Sequence, residues 1–153
     1  MTAYTTSLPA GIAGEVTRDG AVIFNAQLDA DIAAGSVVKI VTNKAVAIAS
    51  GDAATAVFGI TTRSAPAITD ASTGNLESGN VAGVLRKGFM NVVCKQGTPA
   101  IGAAVYVRIT ADTGKLVGDI ETAADSAKCV AIAGAVFAVA GKDSSNVTEI
   151  FLG

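Results

Sequence analysis

The chain has 153 residues, long enough for one domain with a substantial core. Half of it is hydrophobic and 16% is charged, with a mean hydropathy of +0.51, where an average globular chain carries about 25% charged residues. So few charges leave a lone monomer short of polar surface, so assembly with partners is the first expectation, and a net charge of −2 excludes the basic footprint of a nucleic-acid binder. The apolar content is mostly Ala and Val, with 5% aromatics and no Trp, which suits closely packed sheets and not a large greasy pocket.

In chain order, "MTAYTTSLPAGIAG" (1–14) lacks periodicity and carries Pro9 with two glycines, so it reads as an extended arm that orders against something else. Its first residues show neither a charged n-region nor an apolar h-region, so no secretory signal is expected and synthesis in a reducing cytosol is. Residues 15–153 read as a single β domain. Turn signals recur at "RDG" (18–20), "TNK" (42–44), "SGD" (50–52), "STGN" (72–75), "ESGN" (77–80), "ADTG" (111–114) and "GKDSSN" (141–146). Short Val/Ile/Phe-rich runs between such turns predict a compact, mainly β, antiparallel sandwich or barrel. Short helical turns are expected at most, at "LDADIAAG" (28–35), "GDAAT" (51–55) and "ETAADSAK" (121–128). "ITDASTGNLESGN" (68–80) is polar and turn-rich, an exposed loop. Arg86 and Lys87, with Lys95 beyond, read as a solvated face. "VYVRIT" alternates, with Val105, Val107 and Ile109 on one face and Tyr106, Arg108 and Thr110 on the other. "CVAIAGAVFAVAG" (129–141) reads as a buried strand pair, since a membrane helix needs about 20 such residues. "VTEIFL" (147–152) sets Thr148, Ile150 and Leu152 opposite Glu149.

An internal echo runs through the chain. "IAAGSVVKIV" (32–41) is similar to "PAIGAAVYVR" (99–108), with Gly35 or Gly102 ahead of a strand. Each leads through a turn and an Ala/Asp-rich segment to a second apolar run, "ATAVFGITT" (54–62) or "KCVAIAGAV" (128–136). Two readings stay open: two related β units, or chance similarity between strands of biased composition.

Catalytic chemistry is weighed at "ADTG", since Asp-Thr-Gly surrounds the catalytic aspartate of aspartic proteases. Such a dyad needs two carboxylates sharing one proton. Here Lys115 follows the triplet and no second triplet exists, so Asp112 is read as a turn residue with Gly114 supplying φ > 0. With no His there is no Ser–His or Cys–His pair and no imidazole metal site. "GNVAGVLRKG" (79–88) matches neither a phosphate loop nor a dinucleotide fingerprint. Asp29 and Asp31 read as a solvated turn in preference to a Ca²⁺ site, and "NVT" (146–148) without a signal peptide carries no glycosylation reading. Cys94 and Cys129 lack metal-ligand spacing; buried free thiols are the first reading and a single disulfide the second.

Several stretches resemble the head decoration, or structural cement, proteins of tailed bacteriophages: "LPAGIAGEVTR" (8–18), "GSVVKIV" (35–41), "VFGITTRSA" (57–65) and "VAGVLRKGFMNVVCKQGTPAIGAAVYVRITADTGKLVG" (81–118). The last contains a strand, Gly88, a strand with "V-V-C", the run "G-x-P-x-x-G-x-x-V-Y-V" and a hairpin turned by "D-x-G-K-L". The resemblance implies a non-enzymatic β domain without cofactor or metal, made in the host bacterial cytoplasm and carried on the capsid exterior. Its implied partners are the major capsid protein and copies of itself, as dimer or trimer, with no nucleic acid and no membrane. The arm and the polar loop are the expected contact regions, with Tyr4, Leu8, Pro9, Ile12, Arg63 and Leu76 as candidate capsid-contact residues. The rival reading is a tail, fibre or other host-facing β module gripping glycan. The few aromatics, Tyr4, Tyr106 and five Phe, count against it.

Overall fold

One strand of 16 residues, β8 (Val81–Gln96), organises the molecule, since each half of it is shared with a different set of strands. The computed structural model describes residues 11–63, 68–70 and 74–153. Before β8 come β1 (Val22–Leu28), β2 (Ile32–Ala33), β3 (Val37–Val41), β4 (Lys44–Ala47), β5 (Gly59–Thr61), β6 (Ile68–Asp70) and β7 (Asn75–Leu76). After it come β9 (Ala104–Arg108), β10 (Ile120–Glu121), β11 (Cys129–Phe137) and β12 (Val147–Leu152).

The nine-stranded sheet closes on β8 twice. One ring runs β1-β4-β3-β5-β8 and back to β1; the other runs β8-β10-β9-β11-β12 and back to β8. The hand-over falls at the middle of β8, where Val22 of β1 pairs with Lys87 and Leu152 of β12 pairs with Gly88. Gly88 has φ +131°, and a Cβ there would lie 3.0 Å from the Ala21 Cα, so both backbone conformation and close approach call for glycine.

The rings repeat each other. In each, one pairing is parallel (β1 with β4, β8 with β10) and the others are antiparallel. The match extends to single hydrogen bonds. Gly35 N donates to Thr61 O (2.8 Å) and Thr61 N to Ser36 O (2.9 Å), while Gly102 N donates to Phe137 O (2.8 Å) and Phe137 N to Ala103 O (2.9 Å). Gly35 and Gly102 share a left-handed φ, +81° and +79°. The echo between 32–41 and 99–108 is therefore a structural repeat of one five-stranded unit, fused through a shared strand.

Two cores follow. Leu28, Val38, Ala45, Ala82 and Val84 fill the first ring, joined by Ile32 and Leu76 from the small sheet β2-β7-β6. Met90, Val92, Cys94, Val105, Val107, Ile120, Ile132, Phe137 and Ile150 fill the second, and Val37, Ile60 and Leu85 of the first ring pack with them. The expectation of a mainly β barrel holds, with parallel pairings added because ring closure brings β4 and β10 alongside strands running the same way.

Local expectations fare unevenly. The helical turns at 51–55 and 121–128 correspond to short 3-10 turns at Ala54–Ala56 and Ser126–Lys128. The one at 28–35 does not form, because Ile32 and Ala33 pair with Leu76 and Asn75. The run 129–141 holds one strand, β11, and not two, with a register shift between Ala131 and Val136 and no strand over 138–141. Two polar residues on the faces opposite the apolar ones are also covered: Arg108 is fully buried and Glu149 nearly so. Both faces of β12 are covered, one by the ring interior and the other by residues 17–18. No helix among the described residues is long and apolar enough to cross a membrane.

Candidate interaction surfaces

Residues 11–18 lie across the molecule and tie the rings together. Gly14 N donates to Asn91 O (2.8 Å), Arg63 N to Gly14 O (2.7 Å), Asn91 N to Glu15 O (3.0 Å) and Thr17 N to Phe89 O (3.1 Å). Thr17 Oγ1 (2.5 Å) and Arg18 Nη2 (2.6 Å) then donate to the Glu149 carboxylate, with the Arg18 guanidinium 4.0 Å above the Phe89 ring. Burial acts most strongly on Glu149 and pushes its pKa up, but Arg18 and Thr17 together hold it below the usual glutamate value. The part of the expected arm that is described, residues 11–14, is thus fastened to its own domain.

That segment forms one wall of a groove of about 640 Å³, lined also by Ile23, Asn25, Thr62, Arg63 and Gly83. Two candidate contact residues, Ile12 and Arg63, meet here. Ile12 is 54% exposed. Leu76 does not join them. It is fully buried, because the pairing of β7 with β2 turns it into the first ring's core, and its side chain offers no surface to a neighbour. Within the polar stretch 68–80, Ile68–Asp70 and Asn75–Leu76 form the short strands β6 and β7, and 71–73 lie outside the described residues. Tyr4, Leu8 and Pro9 lie outside the described residues.

Asp112 occupies a tight turn. Asp112 N donates to Lys115 O (3.0 Å), Lys115 N to Asp112 O (2.9 Å), and Gly114 has φ +74°. Its carboxylate accepts from the Lys128 ammonium and from Thr113 N (2.8 Å), and those bonds, the lysine's first, hold its pKa below the usual aspartate value. An ionised, lysine-paired carboxylate at a hairpin tip is not half of a proton-sharing dyad. Asp29 is paired with Lys44 (3.2 Å) and Asp31 accepts from Ser78 N (2.8 Å), so the acidic pair at 29–31 fastens a turn. Both cysteines are unbridged and buried, and desolvation raises both thiol pKa values.

The least expected cluster lies in the second ring. Arg108 Nη2 donates to Glu121 Oε2 (3.0 Å) and Asp125 Oδ2 (2.7 Å), its Nε to Glu121 Oε1, and its Nη1 to Thr110 O (3.2 Å). The hydrogen bonds that Arg108 donates to the Glu121 carboxylate and then to that of Asp125, outweighing burial, raise its pKa above its ordinary value. Every polar group of the fork is answered, so the cluster reads as structural.

Several large apolar side chains also stand at the surface. Val22, Ile23, Phe24, Val81, Ile101 and Leu116 are between 44% and 72% exposed, spread over both rings. The stretch "AVIF" (21–24) is one of the Val/Ile/Phe-rich runs between turns, and only the structure reveals its exposure; the absence of any charge from Ala21 to Leu28 was the available signal.

Over residues 1–150 the sequence matches the model of the XM1 gp53 minor capsid protein. The chain belongs to that family. This minor capsid protein family is structural, and membership makes the chain a component of the virion capsid, in keeping with its resemblance to phage head proteins. Among solved structures, a chain from the capsid of Myoviridae phage XM1 has the same fold, with TM-score 0.68 and 19% identity over 99% of this chain and 95% of that one. No curated protein matches.

Proposed function

We propose that this minor capsid protein decorates the outside of the phage head, where copies bridge neighbouring major capsid subunits and cement the shell. The observation that carries this reading is exposed apolar surface on both rings of a body with a continuous strand through its centre. A clamp needs two gripping ends and a stiff connection. Here a pull on one ring passes along β8 into the other without crossing a linker. Burying each further 100 Å² of apolar surface stabilises by about 2.5 kcal/mol before the costs of association. Many copies acting on one shell multiply a modest affinity. Copies also contact one another, as a dimer or trimer, which removes more of the apolar surface from water. Mixing purified protein with expanded heads that lack it tests this. Saturable binding, a head that resists heat or chelator longer, and no binding to unexpanded heads are expected. A monodisperse monomer that ignores both kinds of head rules it out.

A further inference from the structure

The first ring is incompletely closed beside β1. β4 covers that strand only at Gln27 and Leu28. Leu28 N donates toward β8, to Asn80 O (2.9 Å), and Asp29 N donates the other way, to Ala45 O (3.1 Å). Direction alternates along a strand, so the backbone groups of Ile23 and Asn25 point away from β8, where no described strand meets them. The edge is not blunted: Val22, Ile23 and Phe24 are 44%, 45% and 52% exposed, and Ala21 to Leu28 contains no charge and no proline. Two cations border it. Lys87 is the register partner of Val22; Arg86 lies 4.5 Å over the Phe58 ring, which Phe24 meets edge-on at 5.9 Å. Neither makes an ion pair among the described residues, whereas Arg18, Lys39, Lys44, Arg108, Lys115 and Lys128 all do.

We propose that the open edge of β1 at Ile23 and Asn25 receives an extended, acidic-and-apolar segment of another protein chain as an added strand, with Val22 and Phe24 as the apolar floor and Arg86 and Lys87 pairing its carboxylates. Strand addition takes affinity from main-chain hydrogen bonds and specificity from the side chains beside the edge. Charge selects the occupant. A second copy pairing through its own Ala21–Leu28 brings no carboxylate to Arg86 and Lys87, whereas a segment of alternating acidic and apolar residues answers cations and apolar floor together. This deepens the capsid-binding reading and rests on it for the source of the strand.

The test has two arms. In the first, the free protein is titrated with the peptide acetyl-Glu-Val-Thr-Val-Asp-Val-amide, and amide resonances and exchange rates are followed by NMR. Ile23 and Asn25 amides shift and exchange more slowly; the peptide with both acids replaced by lysine leaves them unchanged. Asn25→Pro removes an outward N–H without touching the β8 ladder and abolishes the effect, and Arg86→Glu with Lys87→Glu weakens it about tenfold. Melting temperatures of both variants confirm folding. In the second arm the same proteins are bound to heads that lack the protein, with the same order of affinities expected. Unmoved Ile23 and Asn25 amides, or equal response to both peptides, overturns the assignment. So does an Asn25→Pro protein that changes from oligomer to monomer, which makes a second copy the occupant. Edge amides that respond to the peptide in a protein that ignores heads overturn the capsid reading alone.

Discussion

The buried Arg108 fork lends itself to a double-mutant cycle. Arg108 is fully buried, Glu121 nearly so, and the fork makes bonds to Glu121, Asp125 and the Thr110 carbonyl. Arg108→Met leaves the Glu121 carboxylate buried without its main partner; Glu121→Leu leaves the guanidinium with Asp125 and Thr110 alone. Breaking such a pair costs about 3–5 kcal/mol, whereas replacing both members with apolar groups of similar volume is close to neutral. For a chain of this size, about 2–4 °C of melting temperature accompanies each kcal/mol, so each single variant melts about 6–20 °C lower. The double variant recovers most of the loss, since Asp125 keeps Lys115 at 3.4 Å and is partly solvated. The assay is thermal unfolding of the four proteins at pH 7, giving a coupling of at least about 2 kcal/mol. Single variants that melt within about 2 °C of the parent, or a double variant as damaged as the sum of the singles, refute the reasoning.

Other consequences are local. Gly114→Val forces a β-branched residue into φ +74° and destabilises by about 1–2 kcal/mol, while Asp112→Asn keeps the turn, loses only the exposed pairing with Lys128, lowers the melting temperature less than Gly114→Val and leaves head binding intact. Asp52, Asp112, Asp125 and Glu149 all have folded-state pKa values below their ordinary ones. Stability from these four groups is therefore fully present at neutral pH and lost as pH falls below about 5 toward their lowered values; a denaturation series between pH 7 and pH 3 that shows no decline contradicts those pairings. Cys94 and Cys129 are buried with raised pKa values, so a thiol reagent labels neither in the folded protein at pH 7 and both after denaturation. Rapid labelling of either in the native state shows that its burial is wrong.

Legibility followed locality. The hairpin around "ADTG" and the turn at Gly114 were readable because alternation and turn chemistry act within a few residues. The repeat was visible through Gly35 and Gly102, whose left-handed φ leaves a trace in the residue type. Closure of two rings on one strand was not, because it depends on parallel pairings of β4 and β10, two contacts apiece, made between residues far apart in the chain. The burial of Arg108 is not legible because its partners stand 13 and 17 residues away, and period-two alternation reports a side chain's face but not what covers that face. Leu76 was placed in an exposed loop for a similar reason: a lone apolar residue amid polar ones shows no period, and only its pairing with Ile32 turns it inward. Of the candidate contact residues, Ile12 and Arg63 share one groove, but the open edge at Val22–Phe24 escaped notice, since a run of apolar residues looks the same whether or not a neighbouring strand covers it.

A cryo-EM reconstruction of mature heads, followed by one from heads assembled without this chain, tests the decoration account most directly. Density for the two-ring body on the outer surface, spanning the seam between two major capsid subunits and absent from the second map, is the predicted result. Density on the inner face, or a body touching a single subunit, contradicts it.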